Sequence, residues 1–154
     1  MIEYRKATID EVELLAKIRV DFLREANDIN TQDEIELMYN NNKQFMSDSF
    51  KDGSFVSWVA IDNGEIVATS GISFYTVPPN KKCPNGKAAY ISNMFTYDNY
   101  RKQGIASKLL TLAVEEARNH GCKKVMLNAF EMGRYIYEKF GFINLKDEMV
   151  YHIV

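Results

Sequence analysis

Met94-Phe95-Thr96-Tyr97-Asp98-Asn99-Tyr100-Arg101-Lys102-Gln103-Gly104-Ile105-Ala106-Ser107 joins the end of a strand to the start of a helix through a short basic loop. The strand is the run Ala88 to Thr96. The helix, Gly104 to His120, is read from Ile105, Leu109, Leu112, Ala113 and Ala117 along one side, with Gly121 as the stop at C′. A helix start leaves its first N–H groups unpartnered and carries the positive end of the helix dipole, so this junction is a candidate anion site. Gly104 has no Cβ and lets a ligand approach the backbone, and Ala106 is small for the same reason. Arg101 and Lys102 add positive charge, and a pyrophosphate is the natural guest. The stretch is neither GxxxxGK[ST] nor GxGxxG, so it is not a Walker loop or a dinucleotide fingerprint. Taken alone, it also describes an ordinary helix start.

Working outward, Ile2 to Arg5 reads as a short strand. Thr8 with Glu11 three residues on is a capping box, and Val12, Leu15, Ala16, Arg19, Phe22 and Leu23 follow at helical spacing, giving a helix over about 9–26. A second helix is expected over about 34–49. Phe55 to Ile61 and Ile66 to Phe74 are strands joined by Asn63-Gly64, the dipeptide that best supplies the two positive φ angles of a tight hairpin. Pro78, Pro79, Pro84 and Gly86 mark a loop. Beyond the central helix come a short strand, Lys124 to Asn128, expected to be buried on both faces, a helix from Met132 to Phe140 stopped by Gly141, and a last strand from Met149 to Ile153. Hairpins come first and helices then alternate with strands. This order predicts an α/β (mixed α+β) fold: one mostly antiparallel mixed sheet with helices on both faces, in a single domain over 1–154.

The chain of 154 residues is 46% hydrophobic and 26% charged, an ordinary globular composition. No stretch is long and apolar enough to span a membrane, so no membrane partner and a cytoplasmic location are expected. Cys83 and Cys122 form no CxxC and have no histidine pair nearby, so two free thiols and no metal are expected. Residues 1–36 hold ten acids and five bases, while residues 79–124 hold nine bases and three acids, against a net charge of −2 overall. That asymmetry suits one anionic ligand held locally and a cationic one approaching the acidic part; it gives no broad basic face, and nucleic acid is not an expected partner.

Arg101-x-x-Gly104-x-Ala106 resembles the [QR]-x-x-G-x-[GA] element of the Gcn5-related N-acetyltransferase (GNAT) family. Tyr137-Glu138-Lys139-Phe140-Gly141-Phe142 resembles that family's Y-E-K-x-G-F ending, and Asn93-Met94-Phe95-Thr96 also looks familial. The likeness spans nearly the whole chain in element order and is residue-specific over about 93–107 and 128–142. It implies an acyl-CoA N-acyltransferase fold and transfer of an acetyl group from acetyl-CoA to a primary amine by direct attack. It implies that Met94, Phe95 and Thr96 offer backbone groups to the pantetheine arm as an added strand would. The backbone N–H groups of Arg101, Lys102, Gln103, Gly104, Ile105, Ala106 and Ser107 would hold the pyrophosphate. An N–H at Met94 or Phe95 would polarise the thioester carbonyl. Asn128 would reach the pantetheine amides, and Tyr137 would be the general acid for the leaving thiolate, with Tyr135 as a close competitor.

The match departs from the family in two places. Tyr90-Ile91-Ser92-Asn93 offers no carboxylate to deprotonate the amine; Asp98, Glu131 or an acid of the first two helices are the remaining candidates. Phe130 stands seven residues before Tyr137, where much of the family has asparagine. His120, at a helix end, suits capping better than catalysis. The expected acceptor is a cationic small molecule or a peptide amine; whether the chain forms a homodimer is left open. The competing readings are a non-catalytic acyl-CoA-binding module and, more remotely, a nucleic-acid-binding domain.

Overall fold

The computed structural model describes residues 1–154. Strand β1 (Glu3–Lys6) leads to Thr8, whose N–H donates to the Glu11 carboxylate at 2.9 Å while Glu11 N–H donates to Thr8 O at 2.9 Å. This reciprocal pair starts a single 3-10 turn, Ile9–Glu11, that runs into α1 (Val12–Glu25). Helix α2 (Gln32–Asp52) is longer than its weak periodicity suggests, because both ends are capped. The Thr31 hydroxyl accepts from Glu34 N–H at 3.2 Å, and Gly53 turns left-handed at φ +77°.

The expected strand over Phe55 to Ile61 is broken at Ser57 into β2 (Phe55–Val56) and β3 (Trp58–Asp62). Ser57 turns its carbonyl to Ala7 N–H at 2.8 Å and its hydroxyl to Ser70 O at 2.7 Å, leaving the ladder for one residue. Asn63 (φ +50°) and Gly64 (φ +79°) form the hairpin turn to β4 (Glu65–Thr76), as their sequence requires. Then follow β5 (Lys87–Thr96), α3 (Ile105–Asn119), β6 (Lys124–Leu127) and α4 (Glu131–Phe140). The sheet order is β1-β3-β4-β5-β6, with β2 also on β4; every pairing is antiparallel except β5–β6. The fold is thus the mixed, mostly antiparallel sheet that the element order predicts.

Alternation along the strands gives each face its own core. Val59, Ile61 and Phe95 meet Leu15, Ile18 and Met46 of α1 and α2, while Ala60, Val67 and Ala68 meet Ile105 and Leu109 of α3. Glu116 of α3 is buried (6% exposed) but satisfied, by Lys6 Nζ at 2.8 Å and Trp58 Nε1 at 3.2 Å, which ties α3 to β1 and β3.

Two expectations for the far edge fail. Strand β6 is half-exposed along its whole length rather than buried on both faces, because nothing pairs with its outer edge. The last strand does not form: Met149, Val150, Tyr151 and Ile153 are between 78% and 95% exposed and pair with nothing. Strand propensity alone cannot hold an extended segment without a neighbouring ladder.

The feature that shapes the site is a β-bulge. Thr69 pairs with Phe95 and Gly71 with Ser92, so Ser70 alone faces Asn93 and Met94. Asn93 takes a left-handed backbone (φ +56°), and its carbonyl is held by the Thr69 hydroxyl at 2.8 Å. Beside the bulge, a Cβ on Gly71 would fall 2.5 Å from the buried Phe55 ring and 3.4 Å from Asn93 Cβ. Phe55 is wedged between Phe45 and Phe50 and has no room to retreat. Gly71→Ala is therefore expected to destabilise the protein by about 1–3 kcal/mol, read as a lower urea midpoint.

Candidate active site

Strand β5 pairs with β6 only from Ala88↔Lys124 to Ile91↔Leu127, then continues five residues further, to Thr96. Past the bulge the two strands part. Tyr97 N–H donates to Val67 O on β4 at 3.1 Å. Alternation from that bond directs the Phe95 amide toward β4 and the Met94 and Thr96 amides toward the open side. Of the two amides weighed from sequence, only that of Met94 faces the slot.

The loop after β5 opens into α3 through Lys102 (φ +62°) and Gly104 (φ +82°), both left-handed. The N–H groups of residues 102–107 donate to no acceptor in the chain; the first helical bond is Lys108 N–H to Gly104 O at 3.1 Å. Six unpartnered amides at a helix start form a nest for an anion, provided something fixes the loop. Three side-chain tethers do so. Tyr97 Oη donates to Asp21 at 2.5 Å and Tyr100 Oη to Asp62 at 2.7 Å. Arg101 donates from Nε to Thr96 O at 2.7 Å and pairs with Glu25 and Asp98, each at 2.6 Å, while its guanidinium lies 5.8 Å from the centre of the Phe95 ring. Burial, and then the bond to Asp21, push the Tyr97 hydroxyl far above its ordinary pKa, so it stays a donor. The Arg101 charge is thus committed to two carboxylates of the chain, whereas Lys102 makes no ion pair. The Gln103 side chain turns back to Asn99 O at 3.1 Å.

A cavity of about 760 Å³ follows the slot and the loop. Met94, Phe95, Thr96, Arg101, Lys102, Gly104, Ile105, Ala106, Ser107 and Tyr137 all line it; Gln103 and Asn128 do not. Asn128 lines a second cavity of about 280 Å³ between β5, β6 and α1, together with Arg19, Asp28, Tyr90, Ser92 and Asn93. Five residues line both: Phe22, Ala26, Met94, Phe130 and Tyr137. The two cavities therefore meet beside the Met94 amide and the Tyr137 ring.

Tyr137 is set by its own helix. Its ring packs across Gly133, where a Cβ would lie 3.0 Å from the ring edge, and edge-on to Phe142 at 6.0 Å. Phe142 is placed in turn by the turn that ends α4: its N–H reaches back to Tyr137 O at 3.0 Å, while Gly141 N–H bonds Tyr137 O and Glu138 O. Desolvation raises the Tyr137 pKa, which keeps its hydroxyl protonated. Tyr135 is 70% exposed on the opposite side of the helix turn and lines only the larger cavity. The walls Phe22, Ala26 and Phe130 were not singled out from sequence as site residues; as apolar positions on amphipathic helices or at their ends, they carry no signal separate from core packing.

The sequence profile of the Acetyltransferase (GNAT) family matches residues 15–142. The chain belongs to the GNAT family. Its solved relatives include a predicted acetyltransferase of Clostridium acetobutylicum, determined with acetyl-CoA, at 30% identity and TM-score 0.90 over 99% of this chain and 96% of the other. A GCN5-related N-acetyltransferase of Ralstonia eutropha JMP134 matches at 28% identity and TM-score 0.88, covering 99% of each chain. Among curated proteins, GCN5-related N-acetyltransferase 4, chloroplastic, of Arabidopsis thaliana is 30% identical over 88 residues, which is 54% of this chain and 30% of that protein. The parted strands and the open amide nest are thus features of a GNAT acetyltransferase fold, and no cluster of three or more His, Cys, Asp or Glu is placed to hold a metal ion.

Arg101→Ala removes the guanidinium that binds Thr96 O, Glu25 and Asp98. The expected cost is about 1–2 kcal/mol of stability, chiefly from the charged bond to Thr96 O, because the Glu25 and Asp98 side chains are 44% and 79% exposed and their ion pairs are screened; Arg101→Lys should recover little because one ammonium cannot span three acceptors. Urea unfolding of the two variants checks both statements.

Proposed function

We propose that the protein is an N-acetyltransferase that moves an acetyl group from acetyl-CoA to a primary amine by direct attack. The observation that carries this reading is the meeting of two cavities at Met94 and Tyr137, one lined by a free amide nest and the other a mainly apolar space into which Arg19, Asp28 and Asn128 bring polar groups. The chain's groups fit the cosubstrate: amides 102–107 suit a diphosphate, and the open edge of Met94 and Thr96 suits an amide-bearing arm. Acetyl-CoA supplies an activated thioester. The Met94 N–H is aimed to donate to the carbonyl oxygen as negative charge gathers there. As the C–N bond forms and the C–S bond breaks, Tyr137 gives its proton to the departing sulfur. Asn128 lines the smaller cavity alone, where its amide can bind polar groups of the molecule that enters it.

The amine enters through the smaller cavity. Asp28 is the carboxylate lining it and makes no ion pair or side-chain hydrogen bond, so it is the group proposed to attract the ammonium and accept its proton, directly or through water. This agrees with a cationic acceptor drawn to the acid-rich N-terminal part. Arg19 qualifies that picture. It lies across Phe22 at 5.2 Å, is partly desolvated, and has no carboxylate bonded to it, with Asp28 acting only at longer range. An oxygen-rich portion of the acceptor, small molecule or peptide, is proposed to lie against it. A cytoplasmic location belongs to the same proposal.

The test is a thiol-release assay with acetyl-CoA across amine classes. Tyr137→Phe is expected to lower kcat by about 10²–10⁴-fold with the Kd for acetyl-CoA unchanged; unaltered turnover removes Tyr137 from the mechanism. For the wild type, kcat/KM should rise with pH as the amine loses its proton. Because the Tyr137 pKa is raised, the falling limb should begin above the ordinary tyrosine value near 10. Gly133→Ala is expected to lower kcat by pushing the Tyr137 ring, while its melting temperature holds, since alanine favours a helix interior by about 1 kcal/mol over glycine. A second reading, an acyl-CoA-binding module without catalysis, is favoured by the lack of any carboxylate on β5 at 90–93. Tight acetyl-CoA binding with no thiol release to any amine would select it.

A further inference from the structure

Arg19 lies on the cavity side of α1, with its guanidinium against the Phe22 ring at 5.2 Å. Phe22 is itself packed between Phe95 and Phe130, each 5.7 Å away, so the aromatic face under the guanidinium is fixed. An aromatic ring steadies a planar cation but offers its N–H groups no oxygen. Arg19 makes no ion pair and no hydrogen bond within the chain. No sealed-in side-chain nitrogen or oxygen of the protein lacks a partner, so these free N–H groups open into the cavity instead of being shut in the core. Other polar groups there are equally free. The side chains of Tyr90, Ser92, Asn93 and Asn128 line the same cavity, and none of them bonds to another group of the chain. A part-buried cation and several unused donors in one cavity are costly unless something else supplies the oxygens.

Charge and size narrow the choice of guest. Arg19 and Asp28 are the two charged residues lining the cavity, one of each sign. Its volume of about 280 Å³ lies below the usual range for ligand pockets, about 300–1,000 Å³, so the part of the acceptor that enters is small. A polyamine would set its second ammonium against Arg19. A phosphate would bring up to two negative charges to a single guanidinium with Asp28 in the same cavity. A carboxylate matches the guanidinium in charge and in its flat, two-oxygen shape. On the acetyl-transfer reading given above, we propose that the acceptor is a free amino acid, its carboxylate held by Arg19 and its ammonium turned to Asp28. The products are then the N-acetyl amino acid, the free thiol of coenzyme A and one proton. Arg19 selects and orients the acceptor, while the chemistry stays at Met94 and Tyr137.

Paired acceptors test this. The thiol-release assay compares α-, β- and γ-amino acids with their own carboxamides, which keep the amine and lose the negative charge, and with aminoalkylphosphonates, polyamines and short peptides. At least one acid should exceed its amide by about 10-fold or more in kcat/KM, mostly through KM, as expected for a charge-assisted bond. Arg19→Met keeps the apolar stem and removes the charge; it should bring that acid-to-amide ratio close to one and leave the Kd for acetyl-CoA as it was, and Arg19→Lys should restore part of the ratio. Calorimetry on protein saturated with coenzyme A makes the same comparison without turnover. If no amine is acetylated, but an acid binds better than its amide and Arg19→Met abolishes the difference, the acetyl-transfer reading fails and the amino-acid site stands. Acids that neither react nor bind better than their amides overturn the proposal. So does a preference that survives Arg19→Met, or a phosphonate, polyamine or peptide that outperforms every amino acid. Should the variants fail to fold, the acid-to-amide ratio of the wild type decides.

Discussion

One extra residue in β5 governs the site. Asn93, held left-handed with its carbonyl on the Thr69 hydroxyl, bends the strand just where its pairing with β6 stops. Unbroken pairing to Thr96 would consume the edge that Met94 and Thr96 now present. A left-handed asparagine costs energy that the surroundings must offset. Gly71 opposite, the Phe55 ring filling the space beside it, and Thr69 below are the residues that make the bulge the low-energy choice. The cavity junction at Met94 and Tyr137 follows from that bend.

The second constraint is electrostatic. The loop from Tyr97 to Arg101 is bound by Asp21 and Glu25 of α1 and by Asp62 at the hairpin. The acidic N-terminal part therefore meets the middle of the chain in one ion pair, Glu25–Arg101, and one hydrogen bond, Tyr97 to Asp21, that fix the loop leading into amides 102–107. Preorganisation of this kind lets backbone dipoles bind an anion without first being ordered by it. It also alters the reading of Arg101, whose position in the motif suggests a phosphate contact. Its guanidinium is already neutralised by the chain, so its part is to fix the carbonyl of Thr96 and the shape of the loop.

Much of the architecture could be read from local signals because those elements are fixed by local physics. The Thr8–Glu11 box, the Asn63-Gly64 turn, the stripe of α3 and its stop at Gly121 all depend on residues a few positions apart, and all stand where the pattern put them. Elements that need a distant partner were read less well. Ser57 interrupts a good strand because Ala7 and Ser70 claim its polar groups. Residues 149–153 have strand composition but no ladder. Arg19 looks like one more residue of an amphipathic helix, and only the fold shows its guanidinium over Phe22 in a cavity beside Asp28.

The sequence by itself determined the order and kind of most elements, the helix start at Gly104, and the family, through short motifs whose chemistry is carried by the backbone. Spacing along the chain suffices for these, because hydrogen bonds within a turn or cap do not depend on the rest of the molecule. Tertiary structure alone decided that β5 and β6 part, that the Met94 rather than the Phe95 amide faces the gap, and that Tyr137 rather than Tyr135 reaches both cavities. Each of these turns on which of two neighbouring groups points inward. That choice is made by a one-residue bulge and by packing against residues far away in sequence, such as Gly71 across the sheet.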